Sequence, residues 1–371
     1  MTEFLHKFVD VSGAHARAQN KWPSILIPKE AIDEEIARLS DIPRPENGRR
    51  ASLIVHPEST PPGLGLAPGI DVTINVLNPG ESTRKLRKNS NMVEICIRGS
   101  GIAQCDEQQT RVRHFDVWNT PSMCVHSYRN DGTEPWVRLS YSNAPLLEKL
   151  EVHYVEEFDG EVPADIAGRR GVNAPGQAKA RARDLAMREQ ITDQGAWLLG
   201  YEWLIDIDVV ESKSLLWPWE KVVSHLPAVE GIDKAYNGRR VLVLYNPATG
   251  RRIGTTHSFF ATISSSPPNN HYVPHRHSSV AMNYYLRGKG YSRVDDQRLE
   301  WKAGDLLLSA PGWAMHSHHS TDLTTSALTI QDHPLQIAME SLIWQESIKG
   351  PILALGREAG FDSNRAELAT A

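Results

Sequence analysis

Cysteine is scarce in this chain, and its spacing excludes several architectures at once. Only Cys96, Cys105 and Cys124 occur in 371 residues, an odd number without a C-x-x-C pair. That supports neither a disulfide framework nor a zinc ribbon, and all three read as reduced, structural thiols. Long apolar runs are also missing: nothing approaches the roughly 18 to 20 uninterrupted apolar residues of a membrane-spanning helix, so no membrane partner is expected. The stretch "MTEFLHKFVDVSGAHARAQNKWPS" carries charges where an export signal needs a continuous apolar segment, which makes the cytoplasm the expected setting. Positive charge is not in excess either. Lys and Arg number 40 against 45 Asp and Glu, a formal charge of -5, which disfavours a nucleic-acid partner. The densest basic run, "TRKLRKN" at 83–89, reads as a solvated strand or turn.

What the sequence does have is β texture. "IDVTINVL", "MVEICIRG", "WVRLSYS", "RRVLVLY", "FFATISS", "MNYYLRG" and "LTTSALTI" are short β-branched or aromatic runs separated by Gly, Pro, Asn and Asp, an antiparallel pattern. Ahead of them, "PKEAIDEEIARLSDI" has acidic residues early and apolar ones at helical spacing, and the Pro/Gly-rich "PPGLGLAPG" at 61–69 marks a boundary. Between the two β regions, "GQAKARARDLAMREQITDQGAWLLGYEWL" (176–204) reads as helix on propensity. The expected organisation is an extension over 1–69, a β domain over 70–145, a helical linker region over 146–235, a second β domain over 236–345 and a tail over 346–371.

The two β regions repeat one another. Residues 95–127 can be laid over 284–317 so that Arg98-Gly99 and Gly101 fall on Arg287-Gly288 and Gly290, Asp116 on Asp305, and, with one inserted residue, His126 on His316. Each copy reads as strand, R-G-x-G turn, return strand, G-D or F-D turn, then a strand leading through proline to histidine. A short-looped antiparallel repeat of this kind is best closed into a barrel or jelly roll, which removes edges and leaves a central cavity.

In the second copy, "PHRHSSVAMNYYLRGKG" (274–290) puts His275 and His277 on one face of a strand, with Ser279, Ala281, Asn283 and Tyr285 sharing it. An isolated H-x-H pair is equally what two polar residues on a wet face look like. Here His316, 39 residues beyond His277, closes a strand that the barrel returns to the first one. Three imidazoles converging from adjacent strands can bind a divalent metal facially and leave positions open for substrate or O2. His318 shares the face of His316 and is a candidate acid/base or supporting group. His257, His271, His319 and His333 carry no such argument and read as structural or exposed. In the first copy Leu86 and Lys88 stand at the places of His275 and His277, so His126 alone cannot hold a metal and that module is expected to be metal-free. Trp301, Trp313, Tyr285 and Tyr291 are candidate aromatic wall residues, although each is more often simply core.

The segments "P-H-R-H" through "G-K-G", then "G-D-L" and "P-x-W-x-x-H-S-H", resemble the two cupin motifs. With "LWPWEKVVSHL" (215–225) and "LYNPATG" (244–250), residues 70–345 resemble the gentisate 1,2-dioxygenase group of bicupins, which includes salicylate and 1-hydroxy-2-naphthoate dioxygenases. The resemblance implies an all-β fold with flanking helices, built from two double-stranded β-helix (jelly-roll) barrels. It implies Fe(II) on His275, His277 and His316, a small aromatic substrate, O2, extradiol-type ring cleavage and a homo-oligomer, a dimer or tetramer. Two departures stand out. Most of the group holds its iron in the N-terminal cupin, whereas only the C-terminal one has a full ligand set here. Asn283 stands where an arginine is common, and Ala281 where many cupins place a fourth, glutamate ligand. Without that arginine, substrate selection uses another cation, for which Arg293 and Arg298 are candidates, or a less carboxylate-dependent pose, and gentisate is expected to be a poor substrate. Asn283 and His318 are the expected catalytic residues. The same ligand set also occurs in cupin lyases, isomerases and thiol dioxygenases, and a non-catalytic small-molecule-binding bicupin is a further alternative.

Overall fold

The computed structural model describes residues 10–13, 21–164, 166, 187–201, 212–226, 238–321 and 323–355. Within these, strand follows strand, and each of the seven β runs read from the sequence forms one, among them Asp71–Leu77, Met92–Arg98, Phe260–Ser266 and Ala281–Arg287. The chain is all-β with a few short helices and the 13-residue helix Lys29–Asp41.

Two barrels result, each with one six-stranded sheet. In the C-terminal barrel the order is Ile25–Ile27, Leu306–Ala310, Ala281–Arg287, Thr325–Gln331, Phe260–Ser266, Arg240–Val243. In the N-terminal barrel it is Leu216–Trp217, Val117–Thr120, Met92–Arg98, Trp136–Ser142, Asp71–Leu77, Arg50–Ile54. Period-two alternation divides every central strand between two environments. On one face, Met282, Tyr284, Leu328, Ile330 and Ile263 join Val93, Ile95, Leu139 and Ile74 in a single buried cluster, so the two large sheets share a core. The opposite faces, with Asn283, Thr329 and Thr262 in one barrel and Glu94, Ser140 and Thr73 in the other, line a cavity in each.

Segments expected to be an extension and a linker complete these sheets. Ile25–Ile27 pairs with Leu306–Leu308 of the C-terminal barrel, and Leu216–Trp217 pairs with Val117–Trp118 of the N-terminal one. Both arms have one design: an edge strand, a proline, then a helix whose first amide is held by the turn aspartate of the repeat. Asp305 accepts from Lys29 N at 2.7 Å and from Lys302 N at 2.8 Å, while Asp116 accepts from Trp219 N and Arg113 N, each at 2.8 Å. A helix start leaves its first N–H groups without helical partners, and a carboxylate satisfies them well.

Two expectations are corrected. The stretch 176–204 is not a helix where it is described: Arg188–Gln190 pairs with Trp197–Leu199 in a hairpin turned at Gly195 (φ +93°), and 176–186 and 202–204 lie outside the described residues. Ile191-Thr192 and the Asp193-Gln194-Gly195 turn overrule the weak propensity of Ala, Arg and Leu. The thiols are not all reduced either. Cys105 and Cys124, 19 residues apart, are joined as a disulfide, because Cys105 pairs across the sheet with His126 and so lies beside the turn that carries Cys124. Cys96 is a free, buried thiol.

Candidate metal centre and its cavity

The C-terminal barrel encloses a cavity of about 780 Å³. His275 and His316 face each other across an antiparallel bridge, His275 N donating to His316 O (3.1 Å) and His316 N to His275 O (2.8 Å). His277 follows in the short strand Arg276–His277, which pairs with Ile343–Gln345. The ligand atoms of the three histidines lie within 4.8 Å of one another. Each ring is oriented in the same way: Nδ1 of His275, His277 and His316 meets the carbonyl of Val273 (3.3 Å), Ser279 (2.8 Å) and Ala314 (2.9 Å). A carbonyl only accepts, so each Nδ1 carries the hydrogen and each Nε2 the lone pair, the tautomer that a metal ligand needs. Burial pushes all three well below the usual histidine range, His316 to about 4, and so keeps the ligands neutral.

His318 lines the same cavity in the opposite tautomer. Ser292 Oγ accepts from Trp301 Nε1 (3.0 Å), which leaves the serine hydrogen for His318 Nδ1 at 2.8 Å in preference to the Tyr285 hydroxyl at 3.4 Å. The hydrogen of neutral His318 is therefore assigned to Nε2, on the side of the ring away from Ser292. Trp301 and Tyr285 stack at 3.8 Å on the cavity wall. Gly290 makes this possible, since a Cβ there would lie 2.6 Å from the Trp301 ring. Asn283 also lines the cavity, but Ser309 Oγ accepts from its amide (2.7 Å) and its carbonyl accepts from Thr329 Oγ1 (2.6 Å), so it serves as a wall group.

Several sequence assignments lie elsewhere. His275 and Asn283 are not on one continuous strand: Ser278, Ser279 and Val280 break it, although Ala281, Asn283 and Tyr285 still face the cavity. Ser279 does not line it; its carbonyl and hydroxyl turn back to His277 Nδ1. Tyr291 and Arg293 flank Ser292, whose side chain points in, so their own side chains point out; Tyr291 stacks on His319, and Arg293 is exposed. Arg298 lies over the Tyr291 ring at 3.7 Å, and Trp313 lies under Arg276 in the turn after Ala310, neither on the cavity wall.

The cavity cations are instead Arg239, Arg240 and Arg252. Arg239 stands over the Tyr272 ring at 4.8 Å, and its charge is among the causes that lower His275, His316 and His318. His333, read from sequence as structural or exposed, is buried on the cavity wall with its ring centroid 5.5 Å from that of His277. Its position just before a proline at a helix start gave no periodic signal. His271 and His319 pair with each other at 2.9 Å outside the cavity.

The salicylate 1,2-dioxygenase of Pseudaminobacter salicylatoxidans superposes with a TM-score of 0.69 at 14% identity, covering 91% of this chain and 92% of that one. A model for the AraC-like ligand binding domain matches residues 260–359. A gentisate 1,2-dioxygenase from Haloferax sp. is 23% identical over 320 residues, 85% of this chain and 84% of that protein. The chain has the bicupin fold and is similar to gentisate and salicylate 1,2-dioxygenases. A 5-nitrosalicylic acid 1,2-dioxygenase from Bradyrhizobium sp. is 29% identical over 135 residues, 35% of the bicupin and, at 65%, just under two thirds of that protein's length. No helix among the described residues of the bicupin is long and apolar enough to cross a membrane.

Proposed function

We propose that this bicupin is an Fe(II)-dependent dioxygenase that opens the ring of a hydroxylated aromatic carboxylic acid with O2. The observation that carries the reading is the triad of His275, His277 and His316, three neutral imidazoles each oriented by a carbonyl and gathered in a cavity large enough for such an acid. A three-nitrogen facial set with open positions suits a first-row divalent metal, and zinc, having no redox chemistry, does not suit O2. When bound, the metal supplies Lewis-acid polarisation of the substrate oxygens and electron transfer to O2.

The chain's own groups do the rest. Arg239 holds the substrate carboxylate, the part that the sequence assigned to Arg293 or Arg298. His318, a hydrogen-bond donor through Nε2, orients the phenolic oxygen and exchanges its proton. Trp301 and Tyr285 present a flat wall to the ring, and Phe260 adds a further apolar face. Because Arg239 supplies the cation that Asn283 does not, the ground for expecting gentisate to be a poor substrate is removed. The cleavage proposed is at the bond between the carboxyl-bearing and hydroxyl-bearing carbons, extradiol only in the loose sense that two hydroxylated carbons do not flank it.

The same proposal includes a metal-free N-terminal barrel, module boundaries near residues 69, 145, 235 and 345, a homo-oligomer and a cytoplasmic setting. Limited proteolysis, sedimentation and cell fractionation check the last three. The activity is tested by anaerobic Fe(II) reconstitution followed by O2 uptake with gentisate, salicylates and hydroxynaphthoates. Uptake matched by loss of the aromatic absorbance supports the reading; conversion of any of them without O2 uptake would replace it with a lyase or isomerase.

A further inference from the structure

The N-terminal barrel encloses a second cavity, of about 210 Å³, which shares no lining residue with the first. Leu86 pairs across the sheet with His126 as His275 does with His316, so Lys88, two residues on, stands at the place of His277. The strand Lys85–Lys88 thus brings an ammonium to the point where the other barrel gathers imidazoles. Much of the polar wall is self-satisfied. Glu94 accepts from Arg138 (2.9 Å), Ser140 (2.8 Å), Thr120 (2.9 Å) and Tyr128 (2.7 Å), and the charge of Arg138 cancels its own.

Lys88 is different: among the described residues no group accepts a hydrogen bond from its ammonium. Asp71 Oδ1, Arg49 Nε and Arg138 Nε are likewise buried without a hydrogen-bond partner among the described residues, and all three residues line this cavity. A buried polar group without a partner costs about 1–3 kcal/mol, so three such atoms around one small space, with the Lys88 ammonium beside them, mark a place built to be filled. Burial holds Asp71 in the same state of need, its carboxyl pushed up to about 7. Val76, Leu77, Leu86 and Met92 give the cavity an apolar side. At about 30 Å³ for each water-sized atom, the space takes about seven atoms.

We propose that the N-terminal cavity binds a short-chain carboxylate, its carboxylate on Lys88 and its chain against Leu86 and Met92. A monoanion with an apolar tail matches the one cation of the wall whose charge is near Asp71 and Glu94 but which has no hydrogen-bond acceptor among the described residues, and it matches the apolar side. Phosphate, with two charges and no tail, would leave the apolar side of Leu86 and Met92 unfilled and bring a second charge that Lys88 alone does not match. The proposal is independent of the metal-site reading.

The test is titration calorimetry of the full chain with butyrate, after metal removal by chelator, on the natural protein, on Arg239→Met, and on three further variants made in the Arg239→Met background. Arg239→Met removes a cation from the other cavity and is expected to leave one butyrate bound per chain. Lys88→Met is expected to weaken binding about tenfold or more, and Lys88→Arg to retain it. Ala51, exposed at the mouth of the cavity, gives a variant that spares the interior: Ala51→Trp is expected to block entry, and it decides the matter if Lys88→Met does not fold. Phosphate is expected not to displace butyrate. Absence of butyrate binding, binding lost with Arg239→Met, binding that survives both Lys88→Met and Ala51→Trp, or displacement by phosphate would each overturn the proposal.

Discussion

Replacing Arg239 with methionine keeps most of the aliphatic stem on Tyr272 and deletes only the guanidinium. In the account above that group binds the substrate carboxylate, an interaction between two charges inside a cavity rather than on the surface. Hydrogen bonds to charged groups contribute about 1.5–3 kcal/mol, so kcat/KM for a carboxylated ring should fall by about 10- to 160-fold. Metal content should not fall with it. Arg239 depresses the proton affinity of His275 and His316, and removing a positive charge beside a cation site favours the cation. Paired substrates with and without the carboxyl group, assayed by O2 uptake at measured iron content, separate the two effects. An equal loss for both members of the pair, or no loss for either, would refute the assignment of Arg239.

Two further outcomes follow from groups outside the metal site. Asp305→Ala removes a buried carboxylate that accepts two backbone N–H groups and anchors the N-terminal arm, so unfolding in urea should show a loss of about 2–4 kcal/mol. Asp71 titrates at about 7 in the folded chain against an ordinary value of 3.8, so the folded state binds the extra proton between those values and stability declines as pH rises through them. Asp71→Asn should therefore stabilise the protein at pH 8 relative to the natural chain and lose that advantage at pH 4, read from urea midpoints at the two pH values.

The parts of this molecule that were legible in its sequence are those with a short period. Alternation along Ala281–Arg287 and His316–Ser320 told which side chains point inward, and the repeated R-G-x-G turn told that there are two barrels. The same alternation, applied around Ser292 as strictly as around His277, would have turned Tyr291 and Arg293 away from the cavity. Long-range pairing leaves no such mark. The register of Ile25–Ile27 on Leu306–Leu308 joins residues about 280 positions apart, and only the echo of "ILIPKE" in "LLWPWE" hints that both arms belong to the repeat. Arg239 lies just ahead of the strand Arg240–Val243, where no periodic pattern marks it. The hairpin at 188–199 was hidden by propensity, which a single Gly-centred turn reversed.

The most direct test of the central claim, a single metal site in the C-terminal barrel, is metal per chain after Fe(II) loading and gel filtration. The account predicts one ion per chain in the natural protein and in His126→Ala, and little or none in His275→Ala, His277→Ala or His316→Ala, with circular dichroism unchanged. Two ions per chain, a loss in His126→Ala, or metal retained by any two of the triad variants would contradict it.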